Sequence, residues 1–161
     1  MTINSFQFNT TPGLRFGSGQ AKDSCKEISN KLGERILFVT DKGLMSLGLT
    51  DTTLKELKKS SSVEVFDEVE ADPSQKTLLK VIEIGKKIKA TGIVGFGGGS
   101  SMDVAKLAAL IIGSNENLDE AWGVANAKGP RLPLVLIPTT AGTGSEVTPI
   151  SIITVGEEEK K

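Results

Sequence analysis

GIVGFGGGSSMDVAKLAALII, residues 92–112, is the stretch from which the fold can be read. Residues 92–96 (GIVGF) are apolar or glycine, the compact run of a buried strand, and residues 101–112 are apolar at most positions, as in a helix covered by its neighbours. Between them stand three consecutive glycines, Gly97, Gly98 and Gly99. A strand, a glycine turn and a helix in that order set the unsatisfied N–H groups of a helix start beside backbone that no Cβ shields. An anion is the natural occupant of such a bend. Ser100 and Ser101 add hydroxyl donors, and Asp103 is expected in the first helical turn, where a carboxylate interacts well with the helix dipole. For the glycines alone, a plain strand-to-helix turn with Asp103 as a capping residue stays open. The run departs from G-x-G-x-x-G, because Gly95, Gly97 and Ser100 match its spacing only with serine in the last place.

Working outward, the same alternation repeats. Residues 35–40 (RILFVT) form an apolar run rich in β-formers, preceded by a helix expected over 20–32 with Gly33 as its terminator, and Asp41 stands where the strand ends. Thr50 is placed to cap a helix carrying Leu54 and Leu57, and residues 63–66 read as a short strand. Over residues 74–90, Leu78, Val81, Ile82, Gly85 and Ile88 recur at helical spacing with lysines opposite, an amphipathic helix. Residues 134–137 (LVLI) are a further buried strand, and the β-branched composition of 150–155 predicts another. Phe6, Gln7 and Phe8 alternate in strand period before Pro12 and Gly13, so the N-terminus is expected to be a β-hairpin reaching Phe16. The closing EEEKK, residues 157–161, reads as a solvated end or turn. Repeated βα units of this kind predict an α/β fold: a Rossmann-like parallel sheet flanked by helices, in a single domain over residues 1–161.

Composition limits the function classes. The chain is 38% apolar and 24% charged, as expected for a globular protein. With 19 basic and 20 acidic side chains and a formal charge of −1, it has no overall basic field for nucleic acid and no cationic amphipathic stretch for a lipid surface. No apolar run spans a bilayer and no signal-peptide pattern opens the chain, so a cytoplasmic location is expected. Its one cysteine, Cys25, lies in a helical stretch and reads as a small buried hydrophobe rather than a nucleophile. There is no histidine, so the commonest general acid/base and the commonest transition-metal ligand are both absent. No catalytic residue and no metal ligand are assigned.

A second ligand-facing segment is IPTTAGTGSEVT, residues 137–148. Thr139, Thr140 and Thr143 bring small hydroxyls to the carboxyl end of a predicted strand, and Gly142 and Gly144 permit a tight path, at the edge where open α/β sheets bind cofactors. Taken alone it is a threonine and glycine turn. Paired with the glycine run at the end of another strand, it points to one cleft.

GGGSSMDVAK, then IPTTAGTGSEVT, with VTDKGL around Asp41 upstream, resembles the N-terminal domain of the iron-containing (group III) alcohol dehydrogenase family, which has a dehydroquinate synthase-like fold. The three segments occur in family order. The resemblance implies that Gly97, Gly98, Gly99, Ser100 and Asp103 lie at the pyrophosphate of NAD and Thr139, Thr140, Gly142 and Thr143 at its phosphate and nicotinamide side. It further aligns Asp72 with a residue beside the nucleotide, Ile152 with an apolar wall and Lys161 with a lysine near the ribose. Asp41 is expected to accept hydrogen bonds from a ribose 2′-OH and repel a 2′-phosphate, favouring NAD over NADP, whether or not it also caps the helix starting at Lys42. Asp119 and Glu120 are read as surface residues.

Full-length family members carry an Asp and three His for iron or zinc in a helical domain that this sequence does not reach. The resemblance therefore implies a truncated, NAD-binding chain that is inactive alone, with a homodimer through the N-terminal strands as a further expectation. A glycerol-dehydrogenase-like or dehydroquinate-synthase-like relative is the enzymatic alternative. A non-catalytic nucleotide-binding or oligomerising module is the alternative of another class.

Overall fold

The computed structural model describes residues 11–156 and the backbone of residues 159 and 160. Four parallel strands form its sheet in the order β2-β1-β3-β4: β1 (Arg35–Val39), β2 (Ser62–Phe66), β3 (Gly92–Gly97) and β4 (Leu134–Pro138). Every residue of β3, and all of β1 after Arg35, is buried, which explains why both read as continuous apolar runs.

The pleat divides the core into two layers. Leu37, Val39 and Ile93 face α5 (Gln75–Lys87) and α6 (Gly99–Ser114), packing against Leu78, Val81, Ile82, Val104, Ala105 and Ala108. Ile36, Phe38, Val94 and Phe96 face the other way, toward α2 (Cys25–Leu32) and α4 (Asp51–Leu57), where they meet Cys25, Ile28, Leu32, Leu54 and Leu57. On that side the rings of Phe38 and Phe96 stack with centroids 5.6 Å apart. Close packing of α6 on β3 depends on Gly95, where a Cβ would lie 2.7 Å from the Ala105 Cβ and 2.8 Å from a Leu136 methyl.

Helix ends follow local chemistry. Ser74 caps α5, its hydroxyl accepting from the Thr77 N–H at 3.2 Å, and Asp41 caps the short α3 (Lys42–Ser46), accepting from the Leu44 N–H at 2.9 Å. Thr50 stands at the N-cap of α4 without a capping bond, its hydroxyl directed at the Met45 sulfur.

Several expectations need correction. The helix over 20–32 divides at Ser24 into α1 (Gln20–Asp23) and α2, the Ser24 hydroxyl bonding back to the Gln20 side chain. The strand over 150–155 reduces to β5 (Thr154–Val155), which pairs antiparallel with β6 (Glu159–Lys160) outside the main sheet, so the chain end contains strand rather than turn alone. Upstream, the Ile150 carbonyl and Ile152 N–H bond to side chains of α6 instead of a neighbouring strand. α6 itself begins at Gly99, ahead of the expected start, which puts Asp103 in its second turn.

Of the expected hairpin, residues 6–10 lie outside the described residues, and residues 11–16 form no strand. Among the described residues no helix is long and apolar enough to cross a membrane.

Candidate functional site

The strand order creates the site. From β1 the chain runs outward to β2, and from β3 it runs outward in the opposite direction to β4. The loops leaving β1 and β3 therefore diverge and open a crevice at the carboxyl ends of these strands, the position at which open α/β sheets take ligands. Asp41 follows β1 and the glycine run closes β3.

At the bottom of the crevice Gly97 has φ +149°, and a Cβ there would lie 2.8 Å from the Ser101 Oγ and 3.2 Å from a Leu44 methyl. The same contact shows that the Asp41 turn packs directly beside the glycine bend. Gly98 is the N-cap of α6 and offers no side chain to its first turn, so the N–H groups of Gly99, Ser100 and Ser101 have neither a capping side chain nor a preceding turn to bond to. Their dipoles favour an anion.

The threonine bend lies against this turn. The Thr139 N–H donates to the Gly97 carbonyl at 2.9 Å, continuing the β3 and β4 pairing past its last residue. The Cβ position of Gly98 is 3.6 Å from the Thr140 hydroxyl, and that of Gly99 is 3.3 Å from the Thr143 methyl. Thr139, Thr140, Gly142 and Thr143 are exposed, and Gly98, Gly99 and Ser100 are half-buried, so a ligand has access to both bends. Gly142 has φ +107° and open space around it.

Asp103 is 8% exposed, and its carboxylate is engaged within the protein, with the Ser145 hydroxyl, with the Ile152 N–H at 3.0 Å and with Lys106 at 2.9 Å. Asp72, at φ 51°, and Ile152, 54% exposed, lie on adjoining segments, because the Thr154 N–H donates to the Pro73 carbonyl at 2.9 Å. Lys161 lies outside the described residues.

Cys25 is 3% exposed on the α2 face, and burial, then the charges of Glu56 and Asp23, push its thiol up and away from the nucleophilic thiolate. Among the described residues no group of three or more His, Cys, Asp or Glu side chains could hold a metal ion. The sequence reading did not single out Leu44, which wedges against Gly97, or Lys106, which binds the far side of the threonine segment. The spacing of Asp103 and Lys106 on one helix face was the available signal for the second.

Comparison with known proteins agrees with this arrangement. The family model described as iron-containing alcohol dehydrogenase matches residues 11–161. Sulfoacetaldehyde reductase of Bilophila wadsworthia is 33% identical over 92% of this chain and 39% of its own length. Among solved structures, alcohol dehydrogenase from Oenococcus oeni superposes with a TM-score of 0.87 at 31% identity, over 95% of this chain and 41% of that one. Sulfoacetaldehyde reductase from Bifidobacterium kashiwanohense, solved in complex with NAD+, gives 0.80 at 30% identity over 95% and 41%. The chain thus spans about two fifths of the length of these relatives, and it belongs to the iron-containing alcohol dehydrogenase family.

Proposed function

We propose that these residues form one dinucleotide-binding domain that holds NAD in the crevice between β1 and β3. One observation carries the reading: the glycine bend and the threonine bend are in contact at the point where the strand order reverses, with the first-turn N–H groups of α6 open beside them. Gly98, Gly99 and Ser100 bind the pyrophosphate through backbone N–H groups and the serine hydroxyl. Thr139, Thr140, Gly142 and Thr143 form the opposing wall. Asp41 uses Oδ1 for its helix cap and keeps its second oxygen for a ribose hydroxyl, which favours NAD over NADP. That a relative of known structure was solved with NAD+ supports the assignment.

The whole protein's activity follows from the family as a proposal: hydride transfer between NAD(H) and an alcohol or aldehyde at an iron or zinc ion. The described residues do not fit such a metal, and this domain alone binds cofactor without turnover. Two copies pair through the N-terminal segment, a reading supported by Phe16 at 98% and Leu14 at 71% exposure. Light scattering that returns the monomer mass at high concentration overturns the pairing.

Calorimetric titration with NAD+ and NADP+ in parallel tests the cofactor assignment. The expected result is saturable NAD+ binding and NADP+ binding at least about tenfold weaker, the size of one well-placed charge effect. No binding of either cofactor overturns the site.

A further inference from the structure

Lys106 occupies a position in which a surface lysine would be wasted. Its side chain and that of Asp103 are only 10% and 12% exposed, and their charged atoms are 2.9 Å apart. Its ammonium group also lies within hydrogen-bonding reach of the carbonyls of Ser145 at 3.0 Å, Thr148 at 3.3 Å and Ile150. Asp103 in turn accepts from the Ser145 hydroxyl and, at 3.0 Å, from the Ile152 N–H. One ion pair on one turn of α6 therefore gathers the backbone of residues 145–152, a segment without a sheet ladder of its own before β5.

A buried ion pair is a poor means of gaining stability, because desolvation offsets much of the Coulombic attraction, whereas it is an effective means of fixing geometry. The geometry fixed here is that of the threonine bend. Its entrance is tied to β3 by the Thr139 N–H on the Gly97 carbonyl, and its exit is tied to α6 by Ser145, which also donates its N–H to the Thr143 hydroxyl at 3.4 Å. Both ends thus hang from the same strand-turn-helix unit that carries the glycine bend.

We propose that Asp103 and Lys106 are positioning residues for the dinucleotide site: acting through Ser145, they hold the threonine bend at the distance from the glycine bend that the ligand requires. The inference rests on the NAD reading above, and it assigns to the pair no contact with the ligand.

Lys106→Met would strand a buried carboxylate and is liable to unfold, so the test uses Ser145, with Ile28→Val in the opposite core layer as a control for stability. Hydrogen exchange of residues 139–152 and NAD+ affinity are measured for wild type, Ser145→Ala, Ser145→Thr and Ile28→Val. The expected result is faster exchange and roughly tenfold weaker NAD+ binding in Ser145→Ala, as befits a lost hydrogen bond to a charged group. Ser145→Thr, which keeps the hydroxyl, restores both, and Ile28→Val lowers the melting midpoint while leaving NAD+ affinity unchanged. Unchanged exchange in Ser145→Ala, or faster exchange with unchanged NAD+ affinity, overturns the proposal and leaves the cofactor reading standing. If wild type binds no NAD+ while Ser145→Ala still loosens residues 139–144, the cofactor reading falls and the clamp on the bend remains.

Discussion

Asp41 has two duties that a pair of substitutions separates. Its Oδ1 caps α3 through the Leu44 N–H, while in the proposed site its charge selects between the two cofactors. Asp41→Asn retains an oxygen for the cap and removes the charge. It is expected to bind NADP+ at least about tenfold more tightly than wild type while its melting midpoint barely moves, since the repelling carboxylate is gone. Asp41→Ala loses the cap as well, at about 1 kcal/mol, or roughly 2–4 °C in a chain of this size. An Asn variant with the wild-type preference between the two cofactors would place selectivity elsewhere. Gly97 is intolerant for a different reason. A methyl group there combines φ +149° with a 2.8 Å approach to the Ser101 Oγ, so Gly97→Ala should cost about 1–3 kcal/mol and abolish NAD+ binding by displacing the start of α6. Denaturant unfolding of the variant, with NAD+ titration alongside, reads both effects.

At the scale of elements, α5 offers a capping network with a pH signature. The Glu70 carboxylate accepts from the Ser74 N–H at 2.9 Å, the Ser74 hydroxyl at 2.8 Å and the Thr77 hydroxyl at 2.7 Å. Partial burial raises its pKa, but the bonds from Ser74 and Thr77 outweigh that and hold it below the ordinary 4.5. A carboxyl depressed in the folded state adds stability above the ordinary value and loses it as pH falls through the lower, folded value. Glu70→Gln should therefore lose stability at neutral pH and converge on wild type as pH falls below the ordinary 4.5, flattening the acid limb, and an acid limb identical to that of wild type would refute the network. This helix is legible in the sequence because the spacing of Leu78, Val81 and Ile82 and the opposing lysines are local signals. The runs of β1 and β3 were legible for a related reason: strands covered on both faces have no polar side to disguise them. Residues 150–155 were not, because β-branched composition suits any extended backbone, and here the bonding partners are α6 side chains distant in sequence. The same distance hid the clamp. Asp103 reads from sequence as a crevice residue, and only the packing of Ser145 and Ile152 shows where its oxygens are directed.

For the molecule as a whole, the described residues bring the glycine and threonine bends together at the carboxyl edge of the sheet and include no cluster able to hold a metal. These two properties predict different behaviours in one preparation. A ligand that binds only the folded state stabilises it by an amount set by its excess over Kd, about 2.7 kcal/mol at a hundredfold excess. For a chain of this length that is a rise of about 5–10 °C in the melting midpoint. NAD+ should produce this rise, NADP+ at equal concentration much less, and Gly97→Ala should abolish it even where the variant remains folded. The chemistry should behave otherwise. Hydride transfer as proposed for the whole protein uses a metal ion to polarise the carbonyl, and the described residues include no acidic, thiol or imidazole trio able to hold one. NADH formation from a simple alcohol should therefore stay at the no-protein rate with iron or zinc added, in the same tubes where NAD+ raises the midpoint. Metal-dependent turnover by this chain would mean that a metal is being assembled from residues outside this arrangement or across a second copy, and the separation of cofactor binding from catalysis would be lost. A flat melting midpoint together with no turnover would instead overturn the cofactor site itself.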